Sequence, residues 1–593
     1  MSSPPRISLL VSRKNEKRQH APREFLAIKV TSHQQVRASY NPTIMDWRYA
    51  FRWLFDSRHG ASERLIPRWL FLRALGLIYL SAFYSLIFQI RGLIGPDGIL
   101  PADSYLEAVA RAFGQLSRLW YAPTLFWISS SSQMMVAACW IGMVASILLV
   151  LNLWPRGVLA ISFLCFLAFV SAAQDFSSYQ SDGMLLEAGF ISLFFAPPGL
   201  RPGLGQTHPA SRASLFLLIW EWFRIYFESG VVKIVSGDRE WRNFTAMDEY
   251  YQNGPLPTWI GWYAQHLPHW FHVATAFATL SLELGLIWIV FLPRPWRIAL
   301  FFLVTAWQIP VILTANYTFL NYLVLVLGVL ILDDRFFSRF KFHFKSFRVS
   351  RRSSHSEPVA AAQPSDAALT EGTEPTERGE ESALSIVKQL YRRTKLIVST
   401  ILLTWIFYVT TAELIWIFGR VPLPTAPVVA LEPFRIANQY GLFAVMTRGR
   451  YEIEFQGSDD GQKWTPYPFR YKPQALNQPP GLYAPYQPRF DWNLWFASLG
   501  SWREYPIVPN TEVRLLENDK AVLSLFAGNP FPSTPPRQVR AVLWQYWFTS
   551  LRQKRATGDW WRREFLGLYA PTLERQPDGR IVMIEVPNVV PRQ

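Results

Sequence analysis

Three ionisable side chains, Arg224, Glu228 and Lys233, stand close together at the end of an apolar stretch that runs from about 213 to 233. Arg224 and Glu228 are four residues apart, which puts them on one face of a helix. Charges inside an apolar, membrane-length helix are costly and need partners, so such a group is a functional-site candidate by default. Two chemistries fit these residues. A partly buried lysine can lose its proton near neutral pH, which would let Lys233 act as a base or an anion binder. The structural alternative carries more weight: Arg224 pairs with Glu228 or with Glu187, and Lys233 snorkels its ammonium to the interface. The segment continues through Gly237-Asp238-Arg239-Glu240-Trp241.

A second polar motif, Gln180-Ser181-Asp182-Gly183-Met184-Leu185-Leu186-Glu187-Ala188-Gly189, opens another apolar stretch. Asp182 is placed to cap the helix, because a side-chain oxygen can accept from its free N–H groups. Glu187 then lies about one turn inside and requires a partner. The segment Gly95-Pro96-Asp97-Gly98 reads as a tight turn. His266, His269 and His272 invite a zinc hypothesis. One of them precedes Pro268, there is no HExxH pattern, and the aromatic neighbours favour interface packing, so no metal site is assigned. No Walker loop, dinucleotide GxGxxG or GxSxG elbow is present, and no cofactor is implied. Cys139 and Cys165 both lie in apolar runs, which excludes a disulfide framework in the polar parts and CxxC chemistry. Asn243-Phe244-Thr245 is a sequon that a secretory compartment would allow to be glycosylated; a chance tripeptide fits equally well.

The elements that must hold these groups are apolar stretches of membrane-spanning length. They lie near 68–90, 134–153, 157–173, 183–197, 213–233, 271–292, 297–314, 318–332 and 396–418, the fourth and eighth being short. The charge of +16 is concentrated beside these stretches, as the positive-inside rule expects, and so does not argue for nucleic acid. Starting with a cytosolic N-terminus, the loops containing Arg156, Arg201 and Arg212, Arg294 and Arg297, and the run from Arg335 to Arg352 all fall inside. The loops near 174–182 and 315–317 fall outside and hold no Lys or Arg. The expected architecture is a polytopic α-helical membrane protein with about eight or nine transmembrane helices. Residues 1–65 form a basic cytosolic arm, largely disordered, whose Arg13, Lys14, Lys17 and Arg18 either touch anionic lipid or are simply solvated. The bundle covers 66–335, a basic and Pro/Ser/Glu-rich cytosolic linker 336–394, and a final transmembrane helix 395–420. Residues 421–593 form a soluble mixed α/β domain on the lumenal or periplasmic side, with a small antiparallel sheet or sandwich. Tyr451, Ile453 and Phe455 alternate as in a strand, Ser458-Asp459-Asp460-Gly461 makes a turn, and Trp464 falls on the return strand. Several prolines between 466 and 488 predict irregular connections. Val539, Val542, Leu543, Tyr546 and Trp547 recur at helical spacing, so a helix is expected near 537–552.

These segments together resemble the lipase maturation factor family. The likeness lies in the Leu93–Pro101 loop, Gln180–Gly189, Arg224 through Trp241, Thr245–Asp248, Pro255-Leu256-Pro257 and His266–His272. It continues in Tyr440-Gly441-Leu442-Phe443, Glu454–Trp464, Tyr486–Trp492, Trp495-Phe496-Ala497, Tyr546-Trp547-Phe548 and Trp560–Arg563. The resemblance implies a chaperone-like maturation factor in the endoplasmic reticulum membrane, or in the inner membrane of a bacterium, with secreted proteins, lipases among them, as clients. On that reading the outward domain meets clients through exposed Arg489, Trp492, Trp495, Trp560 and Trp561, residue types enriched at binding hot spots. Asp182, Arg224 and Trp241 are the binding candidates of the bundle. A more distant likeness, in Gly230-Val231-Val232-Lys233 followed by an acidic residue and Trp, is to the vitamin K-dependent gamma-carboxylase. It implies an alternative, an integral-membrane enzyme with Lys233 as base acting on a lipid- or quinol-like substrate; such an enzyme would centre on Asp182, Glu187, Arg224, Glu228 and Lys233, with Glu187 and Glu228 as further catalytic candidates. A third reading is a structural membrane scaffold.

Overall fold

The computed structural model describes residues 47–177, 179–339 and 375–588. Each of the nine apolar stretches is helical. In chain order we label the main helices α1 (Leu65–Ile87), α2 (Ser132–Val150), α3 (Pro155–Ala172), α4 (Gln180–Phe195), α5 (Arg212–Val235), α6 (His269–Leu284), α7 (Arg294–Thr314), α8 (Leu320–Gly328) and α9 (Pro375–Phe418). Six helical segments are long and apolar enough to cross a membrane: Ser62–Ile87, Ser132–Val150, Pro155–Ala172, His269–Phe291, Arg294–Thr314 and Gln389–Phe418. The chain is a multi-pass membrane protein. Helices α4 and α8 fall outside that set because they are short. Helix α5 falls outside it because it carries five charged side chains, Arg212, Glu221, Arg224, Glu228 and Lys233.

Helix ends follow from local chemistry. Asp334 caps α1 from another part of the chain, its carboxylate accepting from the N–H groups of Leu65 (3.1 Å) and Ile66 (2.8 Å). Ser131 caps α2 and Ser211 caps α5 through their hydroxyls, and Pro155 occupies the first turn of α3. Within the arm expected to be largely disordered, residues Trp47–Phe55 form a helix. Arg13, Lys14, Lys17 and Arg18 lie outside the described residues, as does the linker from 340 to 374. From Pro375 the chain is already helical, about twenty residues ahead of the expected final span.

The C-terminal part carries a six-stranded antiparallel sheet: β1 (Arg450–Ser458), β2 (Thr465–Pro466), β3 (Gln538–Phe548), β4 (Trp561–Leu568), β5 (Thr572–Arg575) and β6 (Ile581–Glu585). Strand order is β2-β1-β3-β5-β6, with β4 also paired to β3. Ile453 lies opposite Leu543 and Phe455 opposite Ala541. Two helices pack on the sheet, α10 (Arg489–Ser498) against β1 and α11 (Ile507–Leu516) against β3. The helix expected near 537–552 is instead β3. Val539, Val542, Leu543 and Tyr546 are all buried, which imitates helical spacing. The cause is a strand covered on both faces at its centre, with a register shift against β4 between Leu543 and Trp544.

Bundle and sheet differ in topology but share their packing. Buried residues of α1 to α5 and of β1, β3, α10 and α11 belong to one continuous apolar core.

Candidate functional site

The polar groups of α4 and α5 converge on a short segment that follows α9. Glu187 and Arg224 form a fully buried ion pair, and Glu228 stands 3.7 Å from the same guanidinium. Asn438 and Tyr440 complete the cluster. The backbone N–H and side-chain amide of Asn438 donate to Glu187 Oε2 at 3.0 and 3.2 Å, and the Tyr440 hydroxyl donates to the same oxygen at 2.9 Å. Arg224 donates to the carbonyl of Asn438 (2.6 Å), and the backbone N–H of Tyr440 donates to Glu228 (2.6 Å). The Gly441 N–H donates to Gln180 Oε1 at 3.0 Å. Arg224, expected to pair with Glu228 or with Glu187, meets both, and the cluster holds the backbone of 438–441 in place.

The glycines of the Gln180–Gly189 motif have steric reasons. A Cβ on Gly183 would stand 2.7 Å from Asn438 Oδ1, and one on Gly189 would stand 2.0 Å from the Tyr79 hydroxyl. Asp182 does not cap α4 as expected. No side chain among the described residues caps that helix; the Asp182 carboxylate instead takes both prongs of the Arg489 guanidinium, at 2.7 and 2.8 Å. Arg489 also donates to the Phe176 carbonyl (2.6 Å) and lies 4.7 Å from the Phe169 ring centroid. Its own backbone N–H donates to Gln89 Oε1 at 2.8 Å.

Lys233 does not snorkel. It is 1% exposed, its ammonium lies 2.8 Å from Glu283 Oε2, and it sits 5.1 Å from the Trp241 ring. The Trp241 indole donates to the Phe443 carbonyl at 2.8 Å, so the segment after Gly441 continues along the end of α5. Lys233 is thus buried with Glu283 as its partner.

The residues expected to be exposed client contacts are mostly interior. Arg489 is 0%, Trp561 1%, Trp492 7% and Trp495 9% exposed, and Trp560 is half-buried. Trp492 packs on Tyr179, and the Trp495 indole donates to the Asn253 carbonyl (3.0 Å). Arg and Trp are abundant here because they fasten the sheet domain to the bundle. Three further fasteners escape the sequence reading: Gln89, Asn316 and Asn438. Asn316 is buried, donating to the Leu256, Pro257 and Gly481 carbonyls and accepting from the N–H groups of Tyr483 and Ala484. Gln89 stands inside an apolar stretch, which is the signal that could have found it. Asn438 lies between helices, where a polar residue attracts no notice, and Asn316 stands out only as the first residue of an Asn-Tyr-Thr sequon close to the membrane. His266 contacts two carbonyls, those of Trp262 and Thr549, and His269 faces Asp248. Among the described residues no group of three or more metal-ligating side chains is placed to hold an ion.

A bundle of membrane helices with a sheet domain fastened to it through buried charge pairs defines the class. Residues 66–339 match the model of the lipase maturation factor transmembrane domain, and residues 436–571 match that of the lipase maturation factor C-terminal domain. Human lipase maturation factor 2 is 32% identical, over 86% of this chain and 83% of its own length. Lipase maturation factor 2 of Gallus gallus is 31% identical over 86% and 81%, and lipase maturation factor 1 of Bos taurus 31% over 88% and 91%. The chain belongs to the lipase maturation factor family. No solved structure matches it.

Proposed function

We propose that this protein assists the folding or maturation of secreted proteins, with lipases as clients by analogy with the names of its relatives. The observation that carries the reading is the use of the buried charges. Asp182, Glu187, Arg224 and Glu228 are occupied by Arg489, Asn438 and Tyr440, and Lys233 by Glu283. They act as fasteners, and the base required by the enzymatic alternative is enclosed. In this reading all nine helical stretches cross the membrane, the N-terminus is cytosolic, and the sheet domain faces the lumen or periplasm. The membrane is that of the endoplasmic reticulum, or the inner membrane in a bacterium. The client surface then consists of the exposed Phe565 and the half-buried Trp544 and Trp547, on which Arg563 and Arg562 stack at 4.0 and 4.2 Å.

The test is deletion of the gene in the native host and comparison of the secreted proteome. Loss of a defined set of secreted proteins, restored by the wild-type chain, supports the reading. An unchanged secretome, with the chain normally expressed in the parent, contradicts it.

A further inference from the structure

The alternation of β1 gives the sheet two unlike faces. Tyr451, Ile453 and Phe455 turn toward the apolar core, and Glu452, Glu454 and Gln456 share the other face. On that second face Glu452 is paired with Arg450 and with Lys472, whose ammonium lies 2.9 Å from it. Two residues further along the strand, at Glu454, a cleft of about 720 Å³ opens. That volume falls in the range of ligand pockets. The Glu454 carboxylate lies in its wall, is 4% exposed and already has its partners. One oxygen accepts from the Gln456 amide (2.8 Å), the other from the Gln474 amide (3.2 Å) and the Arg563 guanidinium (3.2 Å). Arg563 comes from β4, donates also to the Tyr546 hydroxyl (3.1 Å), and keeps 28% of its side chain exposed. Arg470 lines the same cleft, is exposed, and donates through Nη2 to the Ser524 carbonyl (3.2 Å).

Glu454, Arg470 and Arg563 are the charged residues that line the cleft. The carboxylate is occupied by donors of the protein itself, so what the cleft offers an incoming group is guanidinium N–H. The rest of its surface is of two kinds. Pro468 and Tyr471 supply apolar wall, and Gln478, which is exposed, supplies an amide with both a donor and an acceptor, the complement of a peptide group. Arg563 stacks on Trp544 at 4.0 Å, and the Trp544 ring meets Phe565 at 5.1 Å. The cleft therefore runs on into the aromatic surface assigned above to clients. Guanidinium groups match carboxylates in geometry and charge, and arginine clusters are a recurrent means of recognising acidic motifs in peptides. We propose that this cleft binds a short polypeptide segment bearing a carboxylate side chain, which Arg470 and Arg563 engage. That the segment belongs to a client chain rests on the function proposed above.

The experiment uses the purified full-length chain in detergent and the rhodamine-labelled, end-blocked peptide Ala-Pro-Glu-Phe-Glu-Pro-Ala, with binding read by fluorescence anisotropy. A counterpart carries Gln in place of both Glu. The expected result is that the acidic peptide binds about tenfold more tightly than the neutral one, and that its binding weakens as salt is raised. Arg470→Gln and Arg563→Gln each weaken the acidic peptide about tenfold. Arg470 is exposed, so its variant keeps the test valid if Arg563→Gln does not fold. Ala475→Trp, which fills the cleft, removes binding of both peptides. Arg552→Gln, exposed and outside the cleft, leaves binding unchanged. Equal affinity for the two peptides, or binding that survives Arg470→Gln and Ala475→Trp, overturns the proposal. Displacement by free glutamate at the peptide's own concentration assigns the cleft to small anions and overturns it too. A chain that binds the acidic peptide while its deletion leaves the secretome unchanged upholds the cleft and contradicts the client reading. A chain that restores the secretome without discriminating the peptides contradicts the cleft alone.

Discussion

Arg489→Ala removes one half of a buried, two-pronged ion pair. Asp182 is 0% exposed and receives both prongs, so truncation leaves its carboxylate without a counter-charge in the core. Breaking such a pair from one side costs about 3–5 kcal/mol. The loss of the Phe176 contact and of the stacking on Phe169 adds to it. A change of this size corresponds to roughly a hundredfold or more in local opening. Amide hydrogen exchange across α10 reads that opening directly, and denaturant unfolding of the purified protein reads the total. Replacing both partners, Asp182→Leu with Arg489→Met, removes the orphaned charge and recovers most of the loss. If Arg489→Ala left exchange in α10 and the unfolding midpoint unchanged, the pair would not be the fastener described here.

Lys233→Met leaves Glu283 without its cation and destabilises by about 3–5 kcal/mol; adding Glu283→Gln restores most of it in thermal unfolding. A catalytic lysine would give no such rescue of activity. Gly183→Ala places a methyl 2.7 Å from Asn438 Oδ1, and overpacking of this kind costs about 1–3 kcal/mol, readable as increased protease access after α9. Burial pushes the Asp491 carboxyl up to about 6, partly opposed by the N–H groups of Lys472 and Tyr471. A raised acid holds its proton longer in the folded chain than in the unfolded one. Its contribution is therefore present at low pH and is lost as pH rises from about 4 to 6. Asp491→Asn should flatten that decline in a pH series of unfolding midpoints.

The helices were legible because length and apolar composition are local properties. So were the polar motifs in α4 and α5, which stand out against apolar neighbours. Their partners were not legible. Glu187 meets Asn438 across 251 residues and Asp182 meets Arg489 across 307, and no periodicity carries such pairings. The tryptophans misled for a related reason: Trp and Arg serve equally in binding surfaces and in joints between packed parts. In β3, burial on both faces produced a helical pattern in a strand, although its Val and aromatic content favoured the strand.

The most direct test of the central claim measures secreted lipase activity in cells lacking their own maturation factor and expressing this chain. The wild type, Arg489→Ala, and Asp182→Leu with Arg489→Met are compared at matched abundance. The account predicts activity with the wild type, loss with the single variant, and recovery with the apolar pair, because the charges hold the domain and perform no chemistry. A folded, abundant double variant that yields no active lipase would contradict it.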